Sequence, residues 1–277
     1  MSEQAIARAM PESAVSARVR YLNAEWRERE DRPRIGSRES RRAATSFRDV
    51  LVHDARPELA SGEIDLARAG FTLTHNRSRC ADFRDEAAVK ATYHPEMTAL
   101  IRRVTGADHA FVRSYLVRTE HPIDFNDGYA RFVHCDYNIR RLEEIALGVL
   151  AAHGVEPRPN WSYAMYNTWQ PFDHQVQKNP LAMIDGRSLP FEDVVDYFYT
   201  GRGIESMTAA PVYNPDHRWC YVPRMETDEV LVIKQLDPRP GGTVYCPHTS
   251  FDLPGSDDML PRRSIETRLL AVFEDAA

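Results

Sequence analysis

The sequence predicts a mainly β protein with flanking helices, of the double-stranded β-helix kind (jelly roll, cupin-like). Short runs rich in Val, Ile, Tyr, Trp and Phe recur along the chain, with Gly, Pro, Asn and Asp between them, as in strands joined by turns. Helical spacing is clear in two stretches, which suits helices packed outside a two-sheet barrel. No internal repeat or low-complexity linker divides the chain.

The elements follow in order. Residues 1–45 are crowded with Arg, from Arg18 to Arg42, interleaved with Glu25, Glu28, Glu30 and Glu39. Mixed charge of this kind reads as a solvated, partly helical arm, ahead of a single β-helix domain over 46–277. Val50-Leu51-Val52 and the alternating Gly70-Phe71-Thr72-Leu73-Thr74 read as strands. Residues 82–106 read as helical: Pro95 and Glu96 suit a first turn, Met97, Leu100, Ile101 and Val104 keep one face, and Gly106 ends it. Ala110–Val117 is a predicted strand and Asn126-Asp127-Gly128 a turn. Leu142, Ile145, Val149 and Leu150 line a helix over 140–153, with Gly154 after it. Strands are predicted at 161–169, from Pro180 into the turn at 185–188, at 219–222, at 229–235 and at 264–273; Phe191–Tyr199 fits a short helix or a strand equally.

Of the 277 residues 43% are hydrophobic, enough for a sizeable core, and the net charge of −6 argues against a nucleic-acid surface or a strongly anionic membrane. No apolar run approaches the roughly 18 residues of a membrane helix, and the N-terminus lacks an apolar signal segment. Cys80, Cys135, Cys220 and Cys246 are scattered without a CxxC, so they read as reduced thiols in a cytoplasmic protein.

The chemistry is concentrated in Phe132-Val133-His134-Cys135-Asp136-Tyr137. Residues i and i+2 of an extended chain point to one side, so His134 and Asp136 can share a metal while Cys135 faces away. His248, 112 residues after Asp136, is the candidate third ligand. Two imidazoles and one carboxylate, with open positions opposite, form the ligand set of non-haem Fe(II) oxygenases. The rival pair His94 and Glu96 falls on a helix start, where i and i+2 do not share a face. Cys246 with His248 leaves zinc as an alternative. Fourteen residues beyond His248, Arg262 begins a strand face that it shares with Ser264, Glu266 and Arg268. An inward Arg needs an anion, and a guanidinium with a hydroxyl beside it matches the far carboxylate of a dicarboxylic co-substrate. The competing reading pairs Arg262 with a local Asp. Asn167, Trp169 and Lys234 lie on predicted barrel strands; Asn167 is a further candidate for cofactor binding, whereas Trp169 and Lys234 fit core and strand-end roles as well. His217 reads as a structural histidine.

These stretches, together with Tyr93-His94-Pro95-Glu96, Asn167-Thr168-Trp169-Gln170-Pro171, Asp185-Gly186-Arg187-Ser188, Tyr213-Asn214-Pro215, Pro247-His248-Thr249-Ser250-Phe251 and Arg262-Arg263-Ser264-Ile265-Glu266, run in order from about residue 50 to the end. Taken together they resemble the AsaB-like hydroxylase/desaturase family. That family groups bacterial proteins similar to the cephamycin 7-alpha-methoxylation component with fungal proteins similar to gibberellin desaturase and a meroterpenoid endoperoxide-forming oxygenase. The resemblance implies a double-stranded β-helix that uses Fe(II), 2-oxoglutarate and O2. It also implies His134, Asp136 and His248 as iron ligands and Arg262 as the 2-oxoglutarate anchor, with Arg268 a lesser candidate. Asn138 and Ile139 follow Tyr137 where the family pattern has Thr or Ser and then Pro, and this segment is expected to touch substrate.

The function expected is hydroxylation or desaturation of a small natural-product or amino-acid-like molecule, with 2-oxoglutarate decarboxylated to succinate. The alternatives are a metal-binding jelly roll without O2 chemistry, either an isomerase or a small-molecule binder, and an interaction module built on the Arg-rich arm. The partner expected is a small-molecule substrate rather than nucleic acid or membrane. A homodimer is among the assemblies the sequence leaves open.

Overall fold

Alternation of apolar and polar side chains along short segments builds two five-stranded sheets. The computed structural model describes residues 14–119, 131–203 and 205–274; the turn expected at Asn126-Asp127-Gly128 lies outside them. In chain order the strands are β1 (Ala14–Leu22), β2 (Arg34–Ile35), β3 (Thr45–Asp54), β4 (Phe71–His75), β5 (His109–Arg118), β6 (Trp161–Pro171) and β7 (Leu181–Ile184). They continue with β8 (Val194–Tyr199), β9 (Ser206–Pro211), β10 (Trp219–Tyr221), β11 (Glu229–Leu236), β12 (His248–Ser250) and β13 (Ser264–Glu274). One sheet has the order β1-β3-β10-β7-β12 and the other β4-β11-β6-β13-β5, while β2, β8 and β9 form a small third sheet. This is the double-stranded β-helix.

Side-chain parity decides where each strand faces. On β13, Ile265, Leu269, Ala271 and Phe273 pack outward against Tyr93, Met97, Leu100 and Ile101 of the segment containing helix His94–Thr105. Pro95 and Glu96 sit in that helix's first turn, and Gly106, in the left-handed conformation, closes it with a bond to the Arg102 carbonyl. The other parity faces inward. Leu270 and Val272 with Met165 and Leu236 bury the apolar face of helix Leu142–Ala152. Phe71, Trp169, Leu231 and Ile233 of one sheet meet Met183 and Cys220 of the other between the sheets.

The solvated arm expected over residues 1–45 is replaced, in its described part, by sheet structure. Strand β1 pairs along its whole length with β3 and buries Ala17, Val19, Tyr21 and Leu22. Alternation of these apolar residues with Ser16, Arg18 and Arg20 is a half-buried strand signal, and the density of Arg obscures it. The helical part is confined to Arg38–Ala44, where Ser37 and Ser40 form a reciprocal cap. A buried polar network ties this region to the core. His217 bonds Tyr21 Oη through Nδ1 (3.1 Å) and Asp193 through Nε2 (3.1 Å), Trp219 Nε1 donates to Tyr21 Oη (2.9 Å), and Arg27 pairs with Asp193. Phe191–Tyr199 resolves into a single turn at Phe191–Asp193 followed by β8.

Close packing at Gly70 fixes where β4 begins. Its φ of 83° is a left-handed conformation, and a Cβ there would lie 2.7 Å from Cys246 Cβ. Gly70→Ala is therefore predicted to lower unfolding free energy by roughly 2 kcal/mol or more, from backbone strain and overpacking together; urea denaturation checks this. Burial lowers the pKa of His217 from its ordinary value despite the nearby Asp193. Its contribution to stability is thus complete above about pH 6.5 and is lost as the pH falls below that, because the unfolded chain then binds the proton more readily. Denaturation curves from pH 7 to 5 should show a shallower loss of stability in His217→Gln than in the parent protein.

Candidate active site

Three segments bring two imidazoles and a carboxylate together. His134 and His248 face each other across an isolated antiparallel bridge, with reciprocal backbone bonds of 3.2 and 3.1 Å and ring centroids 4.8 Å apart. His134 Nε2 lies 3.6 Å from Asp136 Oδ1, and the two side chains are 18% and 10% exposed. The extended chain at 134–136 turns Cys135 the other way, into the apolar cluster around helix Leu142–Ala152. His134 Nδ1 donates to the Phe132 carbonyl (2.7 Å), which puts its proton there and leaves Nε2 as the ligand nitrogen. His248 is buried with Nδ1 3.4 Å from the side-chain amide of Gln235, whose oxygen accepts from the Asp136 N–H (3.2 Å).

Asp136 is the electrostatic centre. Arg268 donates through Nε to Oδ2 (3.1 Å) and through Nη2 to Oδ1 (3.2 Å), and Asn167 Nδ2 donates to Oδ2 (2.5 Å). Register explains the pairing, since Arg268 and Asn167 are direct cross-strand partners on β13 and β6. Burial raises the Asp136 carboxyl pKa, but attraction to Arg268, then His134 and His248, with the Asn167 bond, overrides this and holds it well below the usual carboxylate range. Burial, with repulsion from His134, lowers His248 to about 4, so its imidazole is neutral near pH 7. Arg268 also pairs with Glu266 (2.7 Å), and these two carboxylates keep it charged against the cost of burial.

Ser264, Glu266 and Arg268 share one face of β13, whereas Arg262, expected on the same strand, lies two residues before its start. Arg262 is 2% exposed, donates through Nη1 to the Asn179 carbonyl (2.6 Å) and to Ser250 Oγ (3.3 Å), and lies over the Trp169 ring at 5.3 Å. Ser264 is fully buried, and its hydroxyl has no hydrogen-bond partner among the described residues; the same is true of Asn167 Oδ1. Buried polar atoms of this kind call for a partner from outside the chain. Among the described residues no three His, Cys, Asp or Glu side chains stand at the spacing of a formed metal site; the Asp136 carboxylate leans instead on Arg268 and Asn167. The donor set and its convergence nevertheless fit a divalent iron, and the orphaned Ser264 hydroxyl, which can donate, fits a carboxylate-bearing co-substrate.

Other candidates are separated by the fold. His94 stacks edge-on against Tyr115, and Glu96 accepts from Arg79 N and Asn76 Nδ2. The Cys246 thiol points at the Ile184 carbonyl (3.5 Å) within the inter-sheet core, and burial pushes its pKa well up. Lys234 Nζ donates to the Ala67 and Thr243 carbonyls, bracing a turn. Asn138, expected near substrate, is fully buried and donates to Asp196 (2.6 Å) and the Thr208 carbonyl (3.3 Å) while capping the turn at Arg140. Sequence reasoning missed Gln235. It is the extra residue of a bulge in which β11 pairs Lys234 with Tyr166 and Leu236 with Met165, and nothing in the residue pattern announces such a bulge.

A jelly roll carrying this constellation defines a non-haem iron oxygenase class. Residues 17–273 match the family model described as the oxidoreductase/YMDC permease-like domain. Hydroxylase/desaturase efuI of Hormonema carpetanum is 32% identical over 87% of this chain and 89% of its own. The Fe(II)/2-oxoglutarate-dependent dioxygenase nvfI of Aspergillus novofumigatus is 31% identical over 80% of this chain and 82% of its own. The solved structure of the iron and alpha-ketoglutarate-dependent endoperoxidase NvfI superimposes with a TM-score of 0.81 at 25% identity, covering 95% of this chain and all of that one. The chain belongs to this family of Fe(II)/2-oxoglutarate-dependent hydroxylases and desaturases.

Asn167→Ala removes a support of Asp136 without removing charge. It is predicted to weaken Mn(II) binding by about 10–100-fold. Isothermal titration calorimetry checks this, and an unchanged dissociation constant would contradict the role.

Proposed function

We propose that this chain hydroxylates or desaturates a small natural-product or amino-acid-like molecule, with His134, Asp136 and His248 as the iron ligands and Arg262 with Ser264 receiving the far carboxylate of 2-oxoglutarate. The observation that carries the reading is the convergence of His134, Asp136 and His248 from distant segments onto one patch of the inner barrel wall. Fe(II) with 2-oxoglutarate supplies activation of O2, coupled to decarboxylation of the co-substrate to succinate.

The residues of the chain do the rest. Phe132's carbonyl holds the His134 tautomer that ligates through Nε2. Arg268 and Asn167 keep Asp136 ionised, so it needs no proton release to serve as a ligand. Helix Leu142–Ala152 packs apolar side chains against Leu270 and Val272, two positions beyond Arg268 on the same strand face, and so excludes water from that part of the interior. Stacking of Arg262 on Trp169 shields its guanidinium, and the Ser264 hydroxyl stands two residues on, at the start of β13, to bond a carboxylate oxygen. Substrate then approaches the side where His134 and Arg268 keep partial exposure.

With Fe(II) and O2, the purified protein should convert 2-oxoglutarate to succinate, and a panel of natural products should contain one that accelerates this and is itself oxidised. His134→Ala is predicted to lower turnover by at least about 100-fold, since one of three metal ligands is lost. Succinate release by mass spectrometry is the measurement. Metal-dependent conversion of a substrate with no consumption of 2-oxoglutarate or O2 would support the isomerase reading instead.

A further inference from the structure

We infer that Asn179 is the positioning residue of the co-substrate anchor: its backbone carbonyl, turned inward by a left-handed conformation, sets where the Arg262 guanidinium points. This rests on the reading of Arg262 given above. Asn179 has φ 52° and is 2% exposed. It precedes Pro180, a position that strongly favours extended backbone. An L-residue in this conformation is disfavoured on both counts, with Asn and Gly the best tolerated. Such backbone persists where the surroundings over-determine it, and it clusters at functional sites.

The surroundings are specific. The Asn179 carbonyl accepts from Arg262 Nη1 at 2.6 Å and from Ser250 Oγ at 3.1 Å, and Ser250 Oγ lies 3.3 Å from the same Nη1. On its other side, Asn179 Nδ2 donates to Asp252 Oδ1 at 2.8 Å, and Asp252 pairs with Arg131. Arg131 lies three residues before His134. The side chain of Asn179 therefore locks a backbone turn whose carbonyl fixes one end of the guanidinium, and the same chain of bonds reaches the segment carrying two proposed iron ligands. An extended residue at 179 would carry the carbonyl away from Arg262 and remove the 2.6 Å bond that fixes Nη1.

The test measures 2-oxoglutarate binding to the Mn(II)-loaded protein by calorimetry, beside thermal melting and steady-state kinetics. Asn179→Ala is predicted to raise the dissociation constant and the KM for 2-oxoglutarate by about tenfold, with metal affinity and kcat at saturating 2-oxoglutarate little changed. Asn179→Gly, which tolerates the conformation, should bind several-fold more tightly than Asn179→Ala, a rescue that loss of packing alone does not give. Equal 2-oxoglutarate affinity in the parent, Ala and Gly proteins, with Arg262→Lys still weakened, overturns the role of Asn179 and leaves the anchor standing. Unchanged affinity in Arg262→Lys overturns the anchor itself. Should Asn179→Ala fail to fold, Asp252→Ala takes its place: it unlocks the side chain, and a few-fold weakening is expected, whereas parent-like affinity overturns the inference.

Discussion

The pairing of Asp136 with Arg268 is the constraint on which the site depends. A carboxylate set among β-strands must find a partner or give up its charge. Arg268 meets both of its oxygens, and Asn167 meets one of them again. These partners come from two adjacent strands in direct register, so the sheet itself determines the carboxylate's position. His134 follows from this, because it sits two residues away on the same extended segment, and His248 follows from His134 through their backbone bridge. The geometry of three candidate ligands is thereby referred to one ion pair.

Regular backbone does not suffice to aim the remaining groups. Two strands are irregular near the site: β11 bulges at Gln235, and β5 carries an extra residue, Arg113, opposite the step from Arg268 to Leu269 of β13. Bulges bend a strand and re-aim a side chain. At Gln235 the amide spans the Asp136 backbone and the His248 ring, while the next residue, Leu236, packs beneath helix Leu142–Ala152. Asn179 adds an irregularity of a different kind, in φ rather than in register. The departures from ideal sheet geometry gather round the charged side chains, and the outward apolar parity of β13 runs undisturbed against helix His94–Thr105.

Much of this was legible in the residues. Alternation and helical spacing located the long strands and both principal helices, since burial of one face imposes those periods directly. That His134 and Asp136 lie to one side was readable for a related reason: an extended chain places i and i+2 together. His248, 112 residues further on, depends on long-range pairing that no local spacing announces. Strand β1 is hidden in the sequence because its Arg residues suggest solvation, although Val19 and Tyr21 between them are fully buried. Strand β9, with small residues such as Ala209 and Ala210, carries little intrinsic strand preference and is held by pairing with β8. The residue pattern marks Asn167 as a barrel-strand candidate but not its bond to Asp136, which follows from cross-strand register. Gln235 and Asn179 depend on a bulge and on a left-handed residue before proline, which are products of long-range packing and leave no local pattern.

One strand carries both halves of the barrel's interior. The inward face of β13 reads Ser264, Glu266 and Arg268 and then Leu270 and Val272, charged or polar for three positions and apolar for two, with Arg262 two residues ahead of the strand. The apolar part is packed under a helix, so the charged part is where an acidic co-substrate and a metal can be taken up without competing with the core. Because side chains alternate with a period of two, a slip of one residue against β6 would turn Thr267 and Leu269 inward, bury Arg268 among the outer helices and leave Asp136 unpaired. That slip is opposed at both ends, by Leu270 and Val272 under helix Leu142–Ala152 and by Leu269 and Ala271 under helix His94–Thr105. Hydrophobic packing on the two faces of β13 is thus what holds the ion pair in register, and the chemistry of the charged half depends on contacts made well away from it.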